Sequence, residues 1–160
     1  MIVQLRIDER LIHGQITTSW SRFLDVSRIV VANDRLSKDE LTTQTLLMSA
    51  PAGKKVAVRS IENTITLLSD PRIDTVRVLV IVDNPKDAVT LVKALNIKEV
   101  NVANYVKKKS ANKVQLTRGV ASDSEDLVWF KELAQVAEHS FSQLIPSNPI
   151  EDFASIVSKL

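Results

Sequence analysis

The chain has 160 residues, 44% of them apolar, enough for one domain with a real core. Lys plus Arg number 21 and Asp plus Glu 19, a net charge of +2 that argues against a general nucleic-acid binder, which carries a stronger basic excess. The absence of cysteine excludes a disulfide frame, a thiol nucleophile and a cysteine metal site, and no apolar run is long enough to span a bilayer.

In chain order, Ile2, Val3, Leu5 and Ile7 read as a short strand. Arg6, Asp8 and Glu9 break that stretch too early for a signal peptide, so a cytoplasmic domain is expected. Ile16 to Leu24 come next as a helix with Ile16, Trp20, Phe23 and Leu24 on one face. Arg28 to Ala32 is a β-branched second strand; Ser37 then reads as an N-cap with Glu40 completing a capping box for a helix up to Ala50-Pro51. Lys55 to Val58 is a third strand and Ser60 or Ile61 to Leu68 a short helix. Asp74 to Val82 holds a continuous apolar run of the kind buried on both faces of a parallel sheet. Pro85 opens a helix to about Leu95, and Glu99 to Ala103 is a fifth strand. Ser122 or Asp123 opens a long helix to about His139, whose histidine suits the helix's negative end. Phe141 to Ile145 and Ile150 to Leu160 read as a last strand and a final helix. Strands alternating with helices imply an α/β domain with a mainly parallel central sheet and helices on both faces, a three-layer α/β/α arrangement.

The junction of the first strand and first helix reads Arg6-Ile7-Asp8-Glu9-Arg10-Leu11-Ile12-His13-Gly14-Gln15. Open α/β sheets place ligands at such junctions. The first N–H groups of a helix lack intrahelical partners and, with the dipole, form an anion site. Gly14 lets the backbone approach an anion without a Cβ in the way, and Arg10 adds a planar fork that suits phosphate oxygens. This setting fits a phosphoryl group held on imidazole; the competing reading of His13 is a surface or capping residue. A helix N-terminus disfavours imidazolium, and only a neutral ring nitrogen attacks phosphorus. Asp8 either orients Arg10 or the imidazole, or only ends the strand. Gln15 either donates to phosphate or lies on the helix surface. Glu9 is expected to face solvent and Arg6 to be a solvated surface charge.

Elsewhere the bland readings rank higher. Turn chemistry explains Asn33, Asp34, Asp83 and Asn84 at strand ends. An aspartyl-phosphate receiver would need an early acidic pair that the chain lacks. Neither a GxGxxG nor a P-loop occurs. No acidic residue lies between Val100 and Ser122, where Lys107, Lys108, Lys109, Lys113 and Arg118 form either a solvated loop or a basic rim that steers an acidic partner. RNA binding is a weaker third reading, because only Tyr105 there can stack a base.

Asp8, Arg10, Leu11, Ile12, His13, Gly14 and Gln15 match the pattern Asp-x-Arg-Leu-Ile-His-Gly-Gln, and the chain resembles the IIB component of the mannose/fructose/sorbose-type sugar phosphotransferase system. The similarity extends to Val30-Val31-Ala32-Asn33-Asp34, Asp39-Glu40-Leu41, Ala50-Pro51-Ala52-Gly53, Asn101-Val102 and Gln115-Leu116-Thr117. The resemblance implies a single IIB domain over residues 1–160, with His13 taking a phosphoryl group on Nδ1 from a phosphorylated IIA protein. It implies that Arg10, Gly14 and Gln15 hold that group, and that it passes to a sugar bound by membrane IIC and IID subunits. The protein would then be cytoplasmic and associate peripherally with those subunits. No metal or cofactor is needed, and a homo-oligomer stays open. Mannose, fructose, sorbose and amino sugars all fit, since the membrane subunits bind the sugar. One departure stands out: family members often carry glycines where this chain has Ala103, Asn104 and Tyr105. The runner-up function is a non-catalytic regulatory or anion- or nucleotide-binding α/β domain.

Overall fold

The computed structural model describes residues 1–160. Its main strands are β1 (Ile2–Asp8), β2 (Arg28–Ala32), β3 (Lys55–Arg59), β4 (Val78–Val82), β5 (Glu99–Asn104), β8 (His139–Ser142) and β9 (Glu151–Asp152). They form one seven-stranded sheet in the order β3-β2-β4-β1-β5-β8-β9. All pairings are parallel except β8 with β9. The helices are α1 (Gly14–Phe23), α2 (Asp34–Ser37), α3 (Glu40–Met48), α4 (Ile61–Leu68), α5 (Pro85–Leu95), α6 (Ser124–Val136) and α7 (Phe153–Ser158). A separate antiparallel hairpin, β6 (Val114–Thr117) with β7 (Val120–Ser122), lies between β5 and α6 in the chain.

Two cores flank the sheet. One joins Leu5, Ile7, Val80, Val82, Val100 and Val102 to residues of α4 through α7. The other joins Ile29, Val31, Leu79 and Ile81 to Leu11, Ile12, Leu36 and Leu46. β4 is buried along its whole length, as its unbroken apolar run requires in a central strand. The expected α/β/α layering is therefore present.

β1 differs from its neighbour. Leu5 and Ile7 enter the large core, while Gln4, Arg6 and Asp8 alternate onto the opposite face. That face is also buried, because β1 sits between β4 and β5 under α1. Arg6 is 2% exposed and Asp8 0%. The reading of Arg6 as a solvated surface charge is thus overturned. Alternation in an edge strand would have sent it to water; here α1 and the segment after β8 cover it.

Several boundaries shift for local reasons. α1 starts at Gly14, two residues before Ile16, and Phe23 is 65% exposed with its ring edge-on to Trp20. The Ser37 capping box does not form: Asn33 caps α2 and Asp39 caps α3, each through its side-chain oxygen. Pro71–Thr75 forms a 3-10 turn, so the fourth strand begins only at Val78. α6 ends at Val136, and His139 opens β8 instead of closing a helix; its Nδ1 lies 2.6 Å from Glu99 Oε1 across the sheet. β9 and the Asp152 cap delay α7 to Phe153.

Candidate functional site

Asp8 ends β1, and its carboxylate organises the turn into α1. Oδ1 accepts the Arg10 N–H at 3.0 Å, and the Asp8 carbonyl accepts the Leu11 N–H at 2.9 Å, so the chain turns back sharply. Leu11 adopts φ +57°, a left-handed conformation that costs a branched residue about 1–2 kcal/mol. Burial of Leu11 and Ile12 against β2 and β4 holds it there. Gly14 comes next in this conformation, at φ +51°. A Cβ at Gly14 would meet no protein atom within 4 Å, so the left-handed backbone, and not crowding by the protein, favours glycine there.

His13 is the N-cap of α1, with φ −145°. Its own N–H is taken by Thr17 Oγ1 at 3.0 Å, while its side chain caps nothing. The other six helices are capped by Asn33, Asp39, Ser60, Asn84, Asp123 and Asp152 side chains. α1 alone keeps its first N–H groups clear of a side-chain acceptor, and Gly14 and Gln15 there are exposed.

The imidazole turns back to the strand. Nε2 of His13 lies 2.8 Å from Asp8 Oδ2. The same oxygen accepts from Arg6 Nη2 at 3.1 Å and Nε at 3.3 Å, and Oδ1 also accepts from Asn104 Nδ2 at 3.1 Å. Burial pushes the Asp8 carboxyl up, but the His13 hydrogen bond, the charges of Arg6 and His13 and the Arg10 N–H outweigh it and hold it below the usual carboxylate range. An ionised Asp8 only accepts, so the facing Nε2 carries a proton and Nδ1 of a neutral ring carries the lone pair. Asp8 therefore orients the imidazole and does more than end the strand.

Arg10 is freer. Its side chain is 51% exposed, and Nε approaches Asp8 Oδ1 only to 3.9 Å. Arg6 is the opposite: besides Asp8 it donates to the Leu144 carbonyl at 3.0 Å and the Gln143 carbonyl at 3.4 Å, and stacks on Trp20 at 5.3 Å. Its burial pulls its pKa down against the pull of Asp8 upward. Trp20 Nε1 also donates to the Leu144 carbonyl, and Asn101 exchanges hydrogen bonds with the Gln143 backbone.

Glu9 does not face solvent freely. Its carboxylate accepts from the Val106 N–H at 2.9 Å and the Lys107 N–H at 3.2 Å, holding the basic loop beside the motif. Lys107 in turn bridges Asp123 at 2.9 Å and Asp126 at 3.0 Å, and Lys113 donates to the Val106 carbonyl. Lys108, Lys109 and Arg118 remain exposed. Asn33, Asp34, Asp83 and Asn84 serve local structure: Asn33 and Asn84 cap helices, Asp34 accepts from Ile61 N–H, and Asp83 accepts from Asn84. No group of three or more His, Asp or Glu side chains converges in metal-binding geometry, and no helix is long and apolar enough to cross a membrane.

The geometry at His13 fits the sequence resemblance, and comparison with known proteins decides the family. Residues 2–160 match the family described as "PTS system sorbose subfamily IIB component". The chain belongs to this family of IIB components. It is thus a phosphocarrier subunit of a sugar phosphotransferase system. A probable phosphotransferase enzyme IIB component of Streptococcus pyogenes serotype M6 is 39% identical over 163 residues, covering 99% of this chain and all of that protein. The IIBSor domain of the sorbose permease from Klebsiella pneumoniae superposes with a TM-score of 0.90 at 31% identity, over 99% of this chain and 97% of that one. The mannose-specific EIIAB component of Escherichia coli K12 is 30% identical over 162 residues, which span all of this IIB component and half of that protein.

Proposed function

We propose that this IIB component accepts a phosphoryl group on Nδ1 of His13 from a phosphorylated histidine of a IIA partner and passes it to a sugar hydroxyl. The observation that carries the reading is the 2.8 Å contact of His13 Nε2 with Asp8 Oδ2, which leaves Nδ1 as the nucleophile. In the first step the N–P bond on IIA breaks as the Nδ1–P bond forms in line. In the second, the sugar oxygen attacks phosphorus, His13 leaves and the hydroxyl proton is released. Such transfers depend on positioning and charge stabilisation more than on covalent help from the protein. The Arg10 fork and the first N–H groups of α1, those of Gly14 and Gln15 among them, hold the phosphoryl oxygens. Lys108, Lys109 and Arg118 draw an acidic face of the partner toward this edge.

Residues 1–160 act as one unit on the cytoplasmic side and meet the membrane through IIC and IID subunits. The Escherichia coli relative whose name joins A and B supports a IIA partner. Relatives named for sorbose and mannose support a hexose-type substrate. The test is incubation with phosphorylated IIA. Acid-labile, alkali-stable label on this chain, passed to sugar in membranes carrying IIC and IID, is the expected result. Label that stays on IIA points instead to a non-catalytic anion-binding domain.

A further inference from the structure

The orientation of His13 is only as good as that of Asp8, and a carboxylate can rotate about its own bond. Besides the Arg10 backbone N–H on Oδ1, two side chains oppose this rotation, one on each oxygen. Arg6 grips Oδ2 through both Nε and Nη2, the oxygen that His13 also uses. Asn104, at the end of β5, grips Oδ1. Arg6 is itself fixed: it is 2% exposed, lies over Trp20, and reaches the carbonyls of Gln143 and Leu144 in the segment after β8. Asn101 and Trp20 hold that segment in turn. Asn104 is fixed by its strand, whose carbonyl there takes the Glu9 N–H at 3.0 Å. Burying a guanidinium has a desolvation cost that an apolar side chain would avoid.

We propose that Arg6 and Asn104 are positioning residues for phosphoryl transfer, the two jaws of a clamp that locks the Asp8 carboxylate and thereby keeps Nδ1 of His13 facing outward. Neither touches the reacting atoms. The inference rests on His13 as the phosphoryl acceptor. With the clamp open, Asp8 rotates, the Nε2 hydrogen bond is lost and the ring flips between its two nitrogens. Hydrogen-bond partners one step removed from metal-ligating side chains typically change activity by about 10–100-fold when removed, and a fall of that order is expected by analogy here.

The experiment uses the full chain with Asn104→Ala, Arg6→Lys and wild type. Lysine keeps the charge but presents one nitrogen in place of a fork, so it cannot hold Asp8 and both carbonyls together. Two readouts are taken. The first is the tautomer of the unphosphorylated His13 ring, from its 15N chemical shifts. The second is transfer from phosphorylated IIA, scored for rate and for which ring nitrogen bears phosphorus. Wild type is expected to show Nε2 protonated and phosphate on Nδ1. Each variant is expected to show mixed tautomers, a fall in transfer rate of about 10–100-fold with little change in the IIA concentration needed for half-maximal rate, and some Nε2-phosphohistidine. A folded Arg6→Lys or Asn104→Ala with the wild-type tautomer, rate and isomer overturns the proposal. If Arg6→Lys does not fold, Asn104→Ala decides, since its side chain sits at a strand end and is only part-buried. If wild type takes no label on His13, the reading of His13 as the acceptor fails, and the tautomer alone tests the clamp.

Discussion

Replacing Asp8 by asparagine keeps the shape of the site and removes one buried charge. The new amide oxygen would still accept from the Arg10 N–H, so the turn survives. Arg6 would lose its only carboxylate partner. Removing one member of a buried ion pair costs about 3–5 kcal/mol, because the other charge is left uncompensated. Arg6 keeps the Leu144 carbonyl at 3.0 Å and the Gln143 carbonyl at 3.4 Å, which places Asp8→Asn at the low end, about 3 kcal/mol. For a chain of this size that corresponds to a fall in Tm of about 6–12 °C. The pH dependence gives a second handle. The folded-state pKa of Asp8 lies below its ordinary 3.8, so its charged form stabilises the fold above that value and the stabilisation is lost as pH falls through the folded pKa. Denaturant melts at pH 7 and pH 3 should therefore show wild type well above Asp8→Asn at pH 7 and the gap narrowing at pH 3. A variant within about 1 kcal/mol of wild type at pH 7, or a gap that does not narrow, refutes the buried-pair argument.

The same geometry sets other outcomes. Arg10→Ala, at a half-exposed side chain with only a 3.9 Å approach to Asp8, should shift stability by less than about 0.5 kcal/mol, yet slow transfer by about 10²–10³-fold; Arg10→Lys should fall between. Normal rapid-quench rates for Arg10→Lys would remove arginine from the mechanism. Gly14→Ala strains a φ of +51° in open space and should cost about 1–2 kcal/mol, whereas a Cβ at Gly119 would stand 2.3 Å from the Ala103 carbonyl oxygen and should cost up to about 3 kcal/mol; urea melts that reverse this order contradict the reasoning. The Asp123 carboxyl, held at about 2 first by the Asp126 N–H and then by Lys107, should titrate near that value by NMR and move only part of the way back toward 3.8 in Lys107→Ala.

The alternation of strand and helix, the buried run of β4 and the strand-to-helix position of His13 are legible in the sequence because each rests on local pattern. The burial of Arg6 is not, because what covers it lies far along the chain: its carbonyl partners Gln143 and Leu144 are 137 and 138 residues away. Glu9 escapes for the same reason, since the Val106 and Lys107 N–H groups come from the loop after β5. The role of Asn104 escapes because its target on β1 becomes visible only with the parallel pairing of Asp8 and Asn104. The β6–β7 hairpin escapes because its strands are short and lie among lysines and polar residues; its tip is fixed by Gly119 against β5, a tertiary constraint. His139 reads as helical because apolar spacing continues past Val136, where the helix gives way to extended backbone at Ala137.

The central claim is that Nδ1 of His13 carries the phosphoryl group while Nε2 stays on Asp8. The direct measurement is 15N and 31P NMR of the wild-type chain after transfer from phosphorylated IIA, with His13→Ala run in parallel. Phosphorus bonded to Nδ1 of His13, and no label on a His13→Ala variant that melts as wild type does, is the expected result. Phosphorus on Nε2, on His139 or on any side chain that still labels in His13→Ala would contradict the account.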